Sequence, residues 1–373
     1  MTAPLDDRHA AWADARVGRV ARATWTRWPL PLAAAWSLAY LGLGLAWLAG
    51  AGGNPADPAV DVGVDLSVLG TWGPQAGASI IIALAATGVL LAVVMTVQRV
   101  PGGRLGAGQR VPAVLAGALG LVLAVGLPDF RLLASVAYSP ILLVLTLLGA
   151  MPEGASLWSW PVVNMAVLSL AGLAWALAAV LHHRRMVGAC LACGRRHADP
   201  TWMTPASAAR WGRWAVAVAV VVPLGYASTR YAWALGIPLG VQQQLLDDLG
   251  DGVYAGAALA TLAVGGAVLT LGLAQRWGEV FPRWMLGLRG RQVPVGLAVV
   301  PATVVSVTVA SAGLMFLRFG VTGGFGDTFP GENDDVAAWL PEMFWPLWGA
   351  ALAAATYAYW LRRRGRCQVC SQG

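Results

Sequence analysis

Lysine is missing from this 373-residue chain; all 25 of its basic residues are arginine. That absence fits a GC-rich bacterial genome. Charge of either sign is scarce as well, at 12% of residues against about 25% in soluble domains. With 58% hydrophobic residues and a mean hydropathy of +0.64, the composition excludes an ordinary soluble protein. Ionisable side chains are nearly absent from the apolar runs, which counts against a proton- or ion-coupled pump, because such pumps use embedded acids or histidines as relays. A carrier of apolar solutes stays open. No Ser-His-Asp order, HExxH, phosphate loop or paired carboxylates stands at a plausible active-site position, so an enzyme is the weaker reading. A cleavable leader is not expected either: Arg8, Arg16, Arg19, Arg22 and Arg27 precede a full-length apolar run, which reads as a retained anchor.

What is present is a series of nine apolar segments, at about 29–49, 77–97, 111–127, 132–149, 161–181, 214–235, 253–275, 293–317 and 343–361. About 20 residues of helix cross a bilayer core, and helix is the default because spanning backbone must satisfy its own hydrogen bonds. The connections alternate in charge. Residues 1–27, 98–110, 182–213, 276–292 and 362–373 hold 22 arginines against Asp6, Asp7, Asp14, Asp199 and Glu279. The other 13 acids share their connections with only Arg131, Arg230 and Arg318. Arginine-rich loops stay in the cytoplasm, so both termini are expected inside a bacterial plasma membrane. The number of full crossings must then be even, and one segment within 111–149 cannot be an ordinary span.

An internal repeat identifies it. At an offset of 186, Trp25, Arg27, Trp28, Leu38, Tyr40, Ala46, Trp47 and Gly50 recur as Trp211, Arg213, Trp214, Leu224, Tyr226, Ala232, Trp233 and Gly236. Gln98-Arg99 recurs as Gln275-Arg276, Val111-Pro112 as Val293-Pro294, and Trp160-Pro161 as Trp345-Pro346. The expected fold is an all-α integral membrane protein with eight transmembrane helices in two parallel four-helix repeats. The domains are a cytoplasmic segment 1–27, a first repeat 28–197 and a second repeat 198–373. Segment 130–149 has no counterpart and is expected to leave and return on the outer face, as a re-entrant or interfacial insert broken at Pro140.

The four cysteines stand at the same point of each half, as "RRMVGACLACGRR" (184–196) and "RRRGRCQVCSQG" (362–373). Two Cys-x-x-Cys knuckles meeting on one side of a pseudo-twofold bundle form a four-thiolate zinc site, so Cys190, Cys193, Cys367 and Cys370 are the candidate ligands of a structural zinc. Gly194 lets the first knuckle turn back toward a metal; Ser371 stands in its place in the second, a weaker match. A cytosolic side disfavours structural disulfides. Reversible dithiol chemistry is the alternative, since the neighbouring arginines favour thiolates. Unligated thiols, and a local set of Cys190, Cys193 and His197, also stay open.

Other polar features read more plainly. His182 and His183 are expected among lipid headgroups, and Asn164 as a bond to a neighbouring helix. Arg230 and Arg318 should snorkel or pair with Asp247, Asp248 or Asp251. The acids Asp57, Asp61, Asp65, Asp327, Glu332, Asp334 and Asp335 read as solvated loop charge, matching no EF-hand loop. Most of the 19 tryptophans sit near segment ends, as an aromatic belt requires. Gly42, Gly44, Gly265 and Gly266 read as helix-packing positions. The Arg/Trp-rich stretch 276–294 points to a membrane surface rather than nucleic acid. Expected partners are the lipid bilayer and a cytoplasmic protein.

"RWGRWAVAVAVVVPLGYASTRYAWALGIPLG", "QRWGEVFPRWMLGLRGRQVP" and "RRRGRCQVC" resemble a group of multipass membrane proteins from GC-rich actinobacteria. The likeness covers most of residues 150–373 and is weaker before them. It implies a bacterial plasma-membrane protein and carries over no activity and no site residues.

Overall fold

The computed structural model describes residues 24–98, 106–149, 158–196, 199–285, 287–322 and 335–371. These residues are helical, with no strands among them and one isolated antiparallel bridge, Val280 with Gln292. The long helices are α1 (Pro29–Leu48), α2 (Gly73–Val97), α3 (Ala107–Leu121, continued by a π turn Val122–Gly126), α4 (Phe130–Leu147) and α5 (Trp160–Met186). They continue as α6 (Pro205–Ala234), α7 (Gly252–Gly272), α8 (Val295–Thr322) and α9 (Trp345–Arg363). Prolines open several of them, at Pro29, Pro74, Pro161, Pro205 and Pro346, where the missing N–H is no loss. Among the described residues, eight helices are long and apolar enough to cross a membrane. Leu38, Leu90, Val93, Val221 and Leu269 lie exposed on their sides, as they do in a protein whose solvent is lipid.

The eight are not quite the expected set. α4 is among them, and α9 falls short because its Trp345, Pro346, Trp348, Tyr357, Tyr359 and Trp360 lower its hydropathy. Yet α9 is the most enclosed helix of its group, with Tyr359 and Leu361 wholly buried. The expected break at Pro140 is also absent, since α4 runs unbroken through it. One proline costs a single ladder bond, the one its missing N–H would have given the Val136 carbonyl, and the rest of the ladder carries the helix through.

Two cores form. One joins α1, α2, α3 and α5 around Trp36, Tyr40, Leu123 and Trp175; the other joins α6, α7, α8 and α9 around Tyr226, Phe316, Trp345 and Tyr359. In the first, α1 packs on α2, α3 on α5 and α1 on α5; in the second, α6 packs on α7, α8 on α9 and α6 on α9. Small residues set the closest approaches. A Cβ on Gly120 would meet the Gly172 carbonyl at 2.7 Å, and one on Gly349 would meet the Ser306 carbonyl at 2.6 Å. Of the glycines expected to pack, only Gly44 does, against Ile82; Gly42, Gly265 and Gly266 face open space. Tryptophan is likewise a core residue as well as a belt residue, since Trp36, Trp47, Trp175, Trp233, Trp345 and Trp348 are buried.

At the end of the bundle away from the cysteines, buried ion pairs replace the expected solvated charge. Arg131 bonds Asp61 at 2.6 Å and Asp129 at 2.7 Å, and both acids are buried. Arg230 pairs with Glu342 rather than with Asp247, Asp248 or Asp251, and lies 4.2 Å above the Trp233 ring. Glu342 occupies the one-turn helix Leu340–Met343, where burial raises its carboxyl to about 7 while Arg230 pulls it down. Asp335 accepts the Gln242 amide; Asp327, Glu332 and Asp334 lie outside the described residues. Arg318 of α8 donates to the Leu66 carbonyl at 2.7 Å, and α8 also packs on α4 and the π turn, joining the two groups of helices.

Candidate metal centre

The opposite end holds the cysteines. α5 ends in Arg184 and Arg185, cations at the negative end of its dipole, and the chain then turns at Gly188 into the first knuckle. α9 ends in Arg362 and Arg363 and leads directly into the second. The Gly194 amide donates to the Cys190 carbonyl at 2.7 Å, and the Ser371 amide to the Cys367 carbonyl at 2.8 Å. Both loops close through a left-handed residue: Gly194 at φ +74°, and Ser371 at φ +61°, the one non-glycine with positive φ among the described residues. The weaker motif thus adopts the same turn.

The loops face each other. Cys190 Sγ lies 3.9 Å from Cys367 Sγ, and Cys193 Sγ lies 3.6 Å from Cys370 Sγ, joining positions 177 residues apart. All four sulfurs lie within 4.8 Å of one another, a geometry that could hold a metal ion, and none is in a disulfide. Among the described residues this is the one such group of His, Cys, Asp or Glu side chains. His197 lies outside the described residues.

Sequence reasoning missed the arginine lattice that braces the loops. Arg195 donates to the Arg364 and Gly365 carbonyls at 2.7 and 3.0 Å, and Arg364 returns a bond to the Cys193 carbonyl at 3.2 Å. Arg364 also reaches Asp199 at 3.0 Å, while Arg184 donates to the Leu191 carbonyl at 2.9 Å. The Arg184 and Arg364 guanidiniums both approach the Trp360 ring, at 5.8 and 5.6 Å. The "Arg-then-Cys" spacing was a visible signal that these cations surround the sulfurs; their carbonyl partners were not visible. Their charge suits a thiolate cluster that stays anionic after binding a dication.

Electrostatics divides the thiols. Burial pushes Cys193 up to about 12, with the neighbouring sulfurs adding to the rise. Burial also opposes ionisation of Cys367, but the amides of Cys370 and Val369 together with the Cys193 and Cys370 thiols outweigh it and draw that thiol down to about 7. The Val369 amide lies 3.4 Å from Cys367 Sγ. His182 proves buried, its Nε2 2.9 Å from Gln98 Oε1, so it braces the end of α2 and is not among headgroups; His183 is exposed. Asn164 accepts from the Tyr40 hydroxyl at 2.7 Å, the expected link between helices.

No protein-family model, no curated protein and no solved structure matches this chain.

Proposed function

We propose that Cys190, Cys193, Cys367 and Cys370 bind one structural zinc ion that clasps the two halves of a bacterial plasma-membrane scaffold at its cytoplasmic face. One observation carries this reading: sulfurs from the two knuckles pair at 3.9 and 3.6 Å across 177 residues. Zn–S bonds of about 2.3 Å in a tetrahedron set sulfurs about 3.8 Å apart. A disulfide needs about 2 Å, so the present spacing suits a shared ion better than a bond. Zinc is favoured over other ions because four thiolates in a closed tetrahedron are its usual structural set.

Matched helix pairings support the duplication, with 28–197 and 198–373 as the two repeats. So does helix length. α5 has 27 residues and α9 has 19, and this shortening by eight equals the fall in repeat offset from 185 at Trp160/Trp345 to 177 at the cysteines. The contacts of α4 favour an interfacial insert over a crossing. Arg131 near its start bonds Asp61, and Ser139 at its middle accepts from Trp158, two residues before α5 begins. Arginine bias supports placing the thiol end in the cytoplasm. A scaffold for a cytoplasmic partner is favoured over a permease because large buried side chains such as Trp175 and Tyr359 fill the centre of each half.

Metal analysis of the purified protein tests the clasp. One zinc per chain, with thiols that resist alkylation until a chelator is added, is expected. Four freely reactive thiols and little zinc would sink it, and reversible disulfide formation at cellular potentials would favour the oxidoreductase or redox-sensor reading.

A further inference from the structure

The two groups of helices differ at one place near the thiol end. α2 and α3 pack on one another, whereas α7 and α8 scarcely touch. The gap is a cavity of about 380 Å³, walled by Leu269, Leu273, Trp277, Leu297, Ala302 and Trp348. Its lining is almost wholly apolar. Gly266, with open space where a Cβ would stand, borders it. Leu269 and Leu297 at the mouth are 69% and 58% exposed, and both belong to helices long enough to span a membrane. The cavity therefore opens sideways, toward lipid. An apolar space of this kind repels water and is filled by hydrocarbon.

The segment that roofs the cavity is basic. Residues 276–285 and 287–294 fold back as a clip, closed by Phe281 N–H to the Arg291 carbonyl and Val293 N–H to the Glu279 carbonyl. α9 holds the clip in place: Tyr359 donates to the Gly278 carbonyl at 2.8 Å and Arg363 to the Val293 carbonyl at 2.9 Å. Arg276, Arg283, Arg289 and Arg291 are exposed, and none of them makes an ion pair with another described residue. The single acid of the clip, Glu279, is already bound to Arg362 at 2.8 Å. The clip leads straight into the N-terminus of α8 at Val295, the positive end of that helix's dipole. Trp284, 77% exposed, stands beside the mouth as an interfacial side chain does.

We propose that this cavity binds one acyl chain of an anionic phospholipid, with the phosphate held by the arginines of the clip and the start of α8. Lipid, rather than a soluble anion, is the occupant because the clip that carries these cations also lines, with Trp277, Phe281, Pro282, Trp284 and Met285, an apolar opening on the flank of spanning helices. Neither feature alone would select it. Basic residues near the surface recognise anionic headgroups, and the cavity adds a place for a chain.

The test uses the full chain in mild detergent, titrated with phosphatidylglycerol or phosphatidylcholine of identical chains and read by native mass spectrometry. One phosphatidylglycerol per chain is expected to be retained at a concentration about tenfold or more below that needed for phosphatidylcholine. The triple variant Arg283→Gln, Arg289→Gln, Arg291→Gln alters only exposed side chains with no ion pair to a described residue; it should fold and lose the preference. Ala302→Phe, which fills the cavity, should abolish retention of both lipids, as should Leu297→Trp at the mouth, where added bulk disturbs no packing. Equal retention of the two lipids by the unaltered protein overturns the proposal. So does a preference that survives the triple variant, or retention that survives Leu297→Trp.

Discussion

The two Cys-x-x-Cys loops reach one geometry by different means. The first is set deep: Cys193 is buried, its carbonyl is held by Arg364, and its turn is closed by Gly194. The second is more open, with Cys367 and Cys370 only partly buried, and its turn is closed by Ser371. A left-handed turn costs glycine nothing but costs a serine about 1–2 kcal/mol. Such a cost is tolerated where the surroundings over-determine the backbone. On the proposed reading, the over-determining element is a metal: the first loop is preformed, and the second is drawn into shape by what the sulfurs hold.

The largest effect should come from breaking the site on either side of that comparison. Structural zinc contributes roughly 10 kcal/mol or more in small domains, and it needs all four sulfurs. Cys193→Ser and Cys370→Ser are each expected to reduce zinc to background and expose the three remaining thiols to alkylation. They should differ in stability, because Cys193→Ser leaves a hydroxyl in a buried position and costs about 1–2 kcal/mol more. Zinc content and thermal unfolding in detergent check both. A Cys370→Ser protein that keeps a full zinc would mean that the knuckles do not share one ion.

Much of this was legible in the chain. The paired cysteines, the arginine bias and the Trp-Pro helix starts are local signals, and local signals survive without a structure. What was hidden depends on partners distant in sequence. Arg230 finds Glu342 instead of the nearer acids, because the one-turn helix before α9 folds over the end of α6. Asp61 looked like loop charge until Arg131 met it across 70 residues. The continuity of α4 was hidden for another reason: proline weakens a helix without always ending it. The conformation of Ser371 could not be read at all, since serine rarely turns left-handed unless something else compels it.

A middle-sized effect should separate brace from ligand. Arg364 joins the two loops, bonding the Cys193 carbonyl and Asp199, while Arg366 reaches the Ser371 carbonyl at its own end and no other described residue. Groups that orient metal ligands typically contribute ten- to hundredfold in affinity. Arg364→Ala is therefore expected to weaken zinc binding by about that factor, and Arg366→Ala by only a few-fold. Competition with a chromophoric chelator reads both. Equal effects would show that the arginines act only through general charge and not through the bonds that cross between loops.

The smallest effect sharpens the comparison most, because it predicts opposite signs at matched positions. Ser371→Gly removes the left-handed cost and should preorganise the second loop, tightening zinc by about 1 kcal/mol, or roughly fivefold. Gly194→Ala imposes that cost on the first loop. It also sets a Cβ 2.9 Å from the Arg184 guanidinium, which must move and give up its hold on the Leu191 carbonyl. Zinc binding should weaken by at least the same factor. Zinc release to excess chelator, measured for both variants against the unaltered chain, gives the sign directly. If both substitutions slow release, or neither changes it, the turn at these residues is not what sets the sulfurs, and the two loops are held by the arginine lattice alone.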